Sequence, residues 1–460
     1  MQHYWLVEST KDAKNDPVVF WTNGGPGCSG LLGFFTEQGP FKPQKDGKLE
    51  MNDYMWNKVA NMVFIESPCG VGFSYSEDDE DYKTGDAQTA TDNYELIQSF
   101  MNRFPDLRQN KLYITSESYG GHYMPTLAKE IVDQQKTAAA AEKLNFQGFA
   151  VGNPFTTPYS GIPASVETYW GHQVVSKPTY DKWVTSCVDP TKPNTEECEA
   201  LFIEFYRQVG SLNPYALDYP ICLDDSMGGA AKYGRAQRLA FFNHWFAGAS
   251  DDLRDAVGLP SMLEMGDNTK LNAKATNDYE PCEDVYTTDY LSRDDVKEAM
   301  HVKKDIAWEE CSYKVRYDEK DGLKSMVPIY QELINGGNNL NILVYSGDDD
   351  SVCGTVGTQS WIWDMGYGKP FGQTWSEYTY KGQPSGFITK WTKEKLAFVT
   401  VHGAGHEVPT YKPEVALDLF TKYLDGEWTS ITLAEKDEAA KAAKTKTKAA
   451  ASKKSLKSAK

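Results

Sequence analysis

The chain has 460 residues, enough for one large α/β unit with an insertion or up to about three domains. Its content of 40% hydrophobic and 13% aromatic residues excludes a disordered chain and implies a substantial core. A formal net charge of −18 disfavours nucleic acid and anionic membranes as partners of the body, and no apolar run is long enough to span a bilayer.

In chain order, Tyr4 to Val7 and Pro17 to Thr22 read as strands. They lead into Asn23-Gly-Gly-Pro-Gly-Cys-Ser-Gly30, a glycine-rich loop in which backbone N–H groups can approach a ligand closely. Gly-Lys-Ser/Thr does not occur there, and an oxyanion loop, which esterase-like folds place early in the chain, fits better than a phosphate loop. Asn61 to Glu66 is a core strand entering the loop Ser67 to Tyr75, and Asp86 to Arg103 is an amphipathic helix.

The apolar run Leu112 to Thr115 predicts a buried strand, and apolar residues at helical spacing (Tyr123, Leu127, Ile131) predict a helix from Tyr119 to Gln134. Ser118 lies at the corner between them, within Ser-x-Ser-x-Gly, a variant of the Gly-x-Ser-x-Gly nucleophile elbow. Such a corner lifts the hydroxyl above the sheet, beside a helix N-terminus whose free N–H groups can bind an oxyanion. Strand Phe146 to Gly152 completes an alternating β/α run, the pattern of a mostly parallel central sheet with helices on both faces.

After Asn153-Pro154 the strand signal fades. Residues 156–285 carry helical stretches (Ala200–Val209, Ala236–Gly248) and four of the eight cysteines, and read as a helical cap insertion between core segments 1–155 and 286–433. The α/β pattern resumes at Asp294–His301 and continues through strands Asn341–Ser346 and Leu396–Val401 to the helix Pro413–Leu424. The segment 434–460 is a Lys/Ala-rich tail that reads as solvated. The resumed strands end in Asp348-Asp349-Asp350 and in His402-Gly-Ala-Gly-His406, giving the order Ser…Asp…His of an α/β-hydrolase triad. On pattern alone, any of the three aspartates could orient the imidazole.

The cysteines are even in number, lack CxxC spacing and form no cluster with histidine, which favours disulfides over a metal site and implies an oxidising compartment. The opening Met1-Gln-His-Tyr-Trp5 has neither region of a secretory leader, so either a leader and first strand precede it or the protein is cytosolic. No Asn-x-Ser/Thr sequon occurs.

Six stretches together closely resemble the serine carboxypeptidases. They are Trp21-Thr-Asn-Gly-Gly-Pro-Gly-Cys-Ser29, Glu66-Ser-Pro-Cys-Gly-Val-Gly-Phe-Ser-Tyr75, Ser116-Glu-Ser-Tyr-Gly-Gly-His122, Gly152-Asn-Pro154, Gly347-Asp-Asp-Asp350 and His402-Gly-Ala-Gly-His-Glu-Val-Pro409. The resemblance implies an α/β-hydrolase fold with a helical insertion. It implies an activity that releases C-terminal residues from peptides and proteins at acidic pH, without a metal or other cofactor, in a vacuole or lysosome or after secretion. Carried over by position, Ser118 is the nucleophile, His406 the base and Asp350 the orienting acid, with Asp348 and Asp349 its nearest competitors. The backbone N–H groups of Gly25 and Tyr119 form the oxyanion hole, and Asn23, Gly24, Glu37 and Glu117 read the substrate's free carboxylate. The family's bridges imply the disulfides Cys28–Cys311, Cys187–Cys198 and Cys222–Cys282. Cys353 then matches a position near the active site that is a free thiol in some members, and Cys69 is left over as a second free thiol in preference to a Cys69–Cys353 bridge.

The sequence departs from the family pattern at Ser116, where the elbow usually has glycine, and at Glu407, where some members carry methionine and an acid favours basic residues around the scissile bond. An acyltransferase and a non-catalytic protective or binding protein on the same scaffold are the alternatives. Retention of Asn23, Glu37 and Glu117 favours the peptidase. Homodimerisation is left open.

Overall fold

Buried runs of β-branched and aromatic residues assemble into one nine-stranded sheet in the computed structural model, which describes residues 1–188, 196–210, 212–222, 279–368, 370 and 374–430. The strands are β1 Tyr4–Val7, β2 Val18–Thr22, β3 Asn61–Ile65, β4 Leu112–Glu117, β5 Phe146–Gly152, β6 Asn341–Gly347, β7 Ser376–Tyr380, β8 Gln383–Trp391 and β9 Leu396–Val401. Their order across the sheet is β1-β3-β2-β4-β5-β6-β9-β8-β7. The strands from β3 to β9 in that order pair in parallel. β1 pairs antiparallel at one edge, and β8 with β7 antiparallel at the other.

β2, β3, β4 and β9 are buried along their whole length, as parallel strands covered on both faces must be. Helices α1 Asp86–Arg103 and α2 Gly120–Gln135 cover one face, where Phe20, Ile114, Phe149 and Val344 meet Ile97, Phe100, Leu127 and Ile131. Between β5 and β6 the described chain forms α3 Ile162–Gly171, α4 Lys177–Ser186, α5 Glu196–Val209, α6 Glu283–Ser292 and α7 Val327–Asn335. Helix α8 Thr355–Asp364 follows β6 and joins α7 on the first face, and α9 Pro413–Leu424 packs Leu419, Phe420 and Tyr423 on the opposite face. Helices α3 to α5 gather a separate small core around Val166, Tyr169, Trp183 and Phe205.

Strands β7 and β8 have no counterpart in the sequence expectation. They join through Lys381 and Gly382, both left-handed at φ 49° and 73°, the conformation of a tight two-residue hairpin turn. The helical stretch expected at 236–248 and the tail at 434–460 lie outside the described residues. No described helix is long and apolar enough to cross a membrane.

Candidate active site

The sheet brings the site together at the carboxyl ends of β2, β4, β5, β6 and β9. Ser118 occupies the single turn between β4 and α2 with φ 60°, a left-handed conformation that a non-glycine residue adopts at a cost of about 1 kcal/mol or more. Neighbouring backbone holds it there. Its N–H donates to the Gly152 carbonyl at 3.0 Å, and its carbonyl accepts from Phe155 at 2.8 Å and Gly121 at 2.9 Å. Gly120 must lack a side chain, because a Cβ there would stand 2.2 Å from the Ser116 hydroxyl oxygen. Ser116, in the place of the usual first glycine, fits only because Gly120 leaves it that room.

The three consecutive aspartates after β6 face three different histidines. Asp348 Oδ2 lies 2.8 Å from His402 Nδ1 in an exposed pair. Asp349 Oδ1 lies 3.4 Å from His172 Nε2 on the C-terminal cap of α3. Asp350 Oδ2 lies 2.8 Å from His406 Nδ1, and both side chains are almost wholly buried. Asp350 is also the best supported of the three, because its oxygens accept from Val352 N at 2.7 Å, Cys353 N at 3.1 Å and Asn153 Nδ2 at 2.8 Å. The buried pair leaves Nε2 of His406 as the ring nitrogen that can act as a base.

The glycine loop after β2 leans directly on the elbow. A Cβ on Gly24 would stand 2.4 Å from the Tyr119 nitrogen and 2.8 Å from the Ser118 Cβ. The loop is fixed by the Cys28–Cys311 disulfide, by Ser29 N–H on the Glu310 carbonyl (2.7 Å), by Ser312 N–H on the Gly27 carbonyl (2.9 Å) and by Gly27 N–H on the Tyr123 hydroxyl (3.1 Å). Gly25 follows with φ 112°, and Tyr119 is the N-cap of α2, where the first N–H groups of a helix lack intrahelical partners.

Behind the elbow, the Asn23 amide bridges two buried acids, donating to Glu37 Oε1 at 2.9 Å and Glu117 Oε1 at 2.8 Å. Its own carbonyl oxygen is held by Trp21 Nε1 (2.8 Å) and Gly33 N–H (3.1 Å), which fixes the amide with both protons turned toward the acids. Burial, followed by the charges of Glu37 and Glu407, pushes the Glu117 carboxyl well above the usual carboxylate range. Glu407, next to His406, is itself buried. The structure therefore gathers Asn23, Gly24, Glu37, Glu117 and Glu407 around the corner that carries Ser118.

All three expected disulfides are present, and Cys69 and Cys353 are unbonded. Burial, with Asp350 and Glu117 nearby, pushes the Cys353 thiol well up. Among the described residues no cluster of histidine, cysteine and carboxylate side chains could hold a metal ion.

Sequence reasoning gave no role to three neighbours. Asn153, at φ 37°, ties Asp350 to β6 through Gly347 N–H (2.9 Å), and its place after a buried strand and before Pro154 was the available signal. Tyr215 sets its ring edge-on to His406 at 5.1 Å, and its carbonyl accepts the His406 N–H at 2.7 Å. Beneath α2, Asp86 accepts from the Tyr317 (2.7 Å) and Tyr119 (3.0 Å) hydroxyls and pairs with buried His122 (2.9 Å). Burial opposes the ionisation of Asp86, but His122, Tyr317 and Tyr119 outweigh it and hold the carboxyl below its ordinary range.

A family model described as serine carboxypeptidase matches residues 1–426. The chain belongs to the serine carboxypeptidase family. Among curated serine carboxypeptidase relatives, serine carboxypeptidase-like 25 of Arabidopsis thaliana is 34% identical over 92% of this chain and 85% of its own length. The lysosomal protective protein of Mus musculus is 35% identical over 92% of this chain and 88% of its own. The solved structure of Kex1(delta)p, a prohormone-processing carboxypeptidase from Saccharomyces cerevisiae, superposes with a TM-score of 0.69 at 19% identity, covering 92% of this chain and 86% of that one. That superposition, with the sheet order, makes this serine carboxypeptidase family member an α/β-hydrolase in fold.

Proposed function

We propose that this member of the serine carboxypeptidase family is an active exopeptidase that removes C-terminal residues from peptides and proteins at acidic pH. The observation that carries the reading is the pair of buried acids, Glu37 and Glu117, held by one asparagine beside the nucleophile elbow. A carboxyl pair that keeps a proton can donate hydrogen bonds to a substrate's terminal carboxylate, and Asn23 and the Gly24 backbone complete that recognition. An acyltransferase would use the same triad, but it gives no reason to keep a carboxylate reader.

In this mechanism the Ser118 hydroxyl oxygen attacks the scissile carbonyl carbon while His406 Nε2 takes the hydroxyl proton. Asp350 holds the imidazole tautomer and stabilises the imidazolium. The N–H groups of Gly25 and Tyr119 take the negative charge that develops on the carbonyl oxygen. Collapse breaks the C–N bond, and His406 returns its proton to the departing amine, which leaves as a free amino acid. Water then attacks the acyl-serine ester by the same steps in reverse roles, freeing the shortened peptide and the Ser118 hydroxyl. The acid-requiring carboxylate reader fits a lysosomal, vacuolar or secreted acidic setting.

Glu407 is the specificity residue in this reading. Its buried carboxyl, beside His406 and close enough for its charge to act on Glu117, favours a cationic side chain at the scissile bond. Timed mass spectrometry of a peptide library at acid pH tests both statements. The expected result is stepwise loss from the C-terminus only, with Arg and Lys preferred over Phe by about tenfold and that preference lost in Glu407→Met. Internal cleavage, or no cleavage, defeats the exopeptidase reading, and an unchanged preference in the variant defeats the role of Glu407.

Asn153 is expected to act on the acid rather than on substrate. Asn153→Ala removes a support of Asp350 and should lower kcat about tenfold with KM within about twofold. Steady-state kinetics on one peptide separates the two constants, and an unchanged kcat would exclude the residue from positioning the acid.

A further inference from the structure

We infer that Asp349 and His172 form a positioning latch. It ties α3 and the 213–218 segment to the Asp350–His406 pair in weakly acidic solution and loosens toward neutral pH. The latch rests on the proposed hydrolase function only for its effect on reactivity.

Asp349 makes three hydrogen bonds to two separate segments. Its N–H donates to the Ala404 carbonyl at 2.9 Å, two residues before His406. Its carbonyl accepts from Leu217 N at 3.1 Å, and Oδ2 accepts from Asp218 N at 3.0 Å. The same 213–218 segment grips the rest of the pair. The Pro214 carbonyl accepts from Ser351 N at 3.1 Å and from its hydroxyl at 2.6 Å, and Tyr215 holds His406 through the contacts described above. A shift of Asp349 is therefore felt on both sides of the Asp350–His406 contact.

His172 supplies the fourth tie, and its tautomer makes that tie conditional. Nδ1 lies 3.0 Å from the Thr168 carbonyl, an acceptor only, so Nδ1 carries a proton. The neutral ring then turns the lone pair of Nε2 toward Asp349 Oδ1, 3.4 Å away, which is repulsive. The protonated ring turns an N–H toward the same oxygen, which is attractive. The distance is long for a hydrogen bond and within ion-pair range. The charged groups facing the ring are Asp349, from the loop after β6, and Asp218, from the 213–218 segment; from its own helix comes the Thr168 carbonyl.

Contact with Asp349, against burial, raises the imidazole above its ordinary value, and burial raises Asp349. The contact is complete below the ordinary imidazole range and is lost as pH rises through the raised value for His172. On the acid side it ends when Asp349 takes a proton.

Two readouts test the latch across about pH 5 to about pH 8, the range of an imidazole. The first is hydrogen exchange of the Leu217 and Asp218 amides, wild type against His172→Gln at each pH. Exchange about fivefold slower in the wild type at the acid end, converging to equality near neutral, is the expected result for one partly exposed charge contact. Equal exchange at every pH overturns the latch, whatever the protein's reactivity. The second is the rate of labelling of Ser118 by a fluorophosphonate probe, as the ratio of wild type to His172→Gln or Asp349→Asn. His406 titrates in all three proteins, so a ratio that falls toward one with rising pH isolates the latch. A flat ratio overturns its action on the catalytic pair. Wild-type protein that takes no probe defeats the hydrolase reading instead, and the exchange measurement still decides the latch. His172 is partly exposed, so its glutamine variant is expected to fold.

Discussion

Asp350→Asn should lower peptide turnover by about four orders of magnitude, as loss of the orienting acid does in serine-protease triads generally. Asp348→Asn, two residues away, should leave turnover within about twofold. The difference lies in what each carboxylate faces. Asp350 and His406 are both almost wholly buried, and the Asp350 oxygens already accept from Val352, Cys353 and Asn153. An amide NH2 turned toward His406 Nδ1 would move the ring proton to Nε2, leaving no lone pair for the Ser118 proton. Turned the other way, it would oppose the Asn153 and Cys353 donors. Asp348 pairs with His402 where the side chains are 34% and 73% exposed, so water screens the pair and replaces it at little cost. Parallel kcat measurements on the two variants decide the assignment, and equal losses would move the acid's role away from position 350.

KM for a peptide with a free C-terminus should rise about tenfold or more between about pH 5 and about pH 7.5, while an ester lacking that carboxylate should change little. Glu117 is fully buried, and its carboxyl is pushed well up first by burial and then by Glu37 and Glu407. In the proposed recognition it holds a proton below its folded-state pKa and attracts the substrate's terminus, and above that value it is a second negative charge facing the first. Glu117→Gln keeps the donor at every pH and should flatten the rise. The sign for folding runs the same way. A carboxyl raised above its unfolded value of 4.5 contributes stability that is full below that value and is lost as pH climbs through the folded one. The glutamine variant should therefore also lose less stability on going to neutral pH. Equal pH dependence for peptide and ester would remove the pair from carboxylate recognition.

The elements that sequence patterning reads well are those whose signal is local. β9 and α9 have the bounds expected of them, since Leu396 to Val401 is a continuous buried run and Pro413 to Leu424 keeps one apolar face. β7 and β8 escape because they form an edge hairpin, where Glu377, Thr379 and Phe387 face water and the alternation carries polar residues such as Thr389 and Lys390. Their one local mark is the Lys381-Gly382 turn. The family motifs carry Ser118 and His406 by position, but the choice among three adjacent aspartates is a matter of where each side chain points after the strand ends. That depends on partners as distant in sequence as Asn153, His172 and His402. Tyr215 leaves no trace in the sequence beyond being a tyrosine in a segment without strand pattern. Its significance is created by the fold.

Because β6 pairs with β5 and β9 pairs with β6, Asp350 and His406 are placed only after strands that begin 223 and 278 residues beyond Ser118 have docked (341 − 118 and 396 − 118). In the proposed mechanism a nascent chain that has only reached the elbow and its glycine loop has no base to activate Ser118. In the proposed mechanism every truncated product that stops short of β9 is inert for the same reason, and the order of strands in the sheet becomes a safeguard on when the hydroxyl can act as a nucleophile.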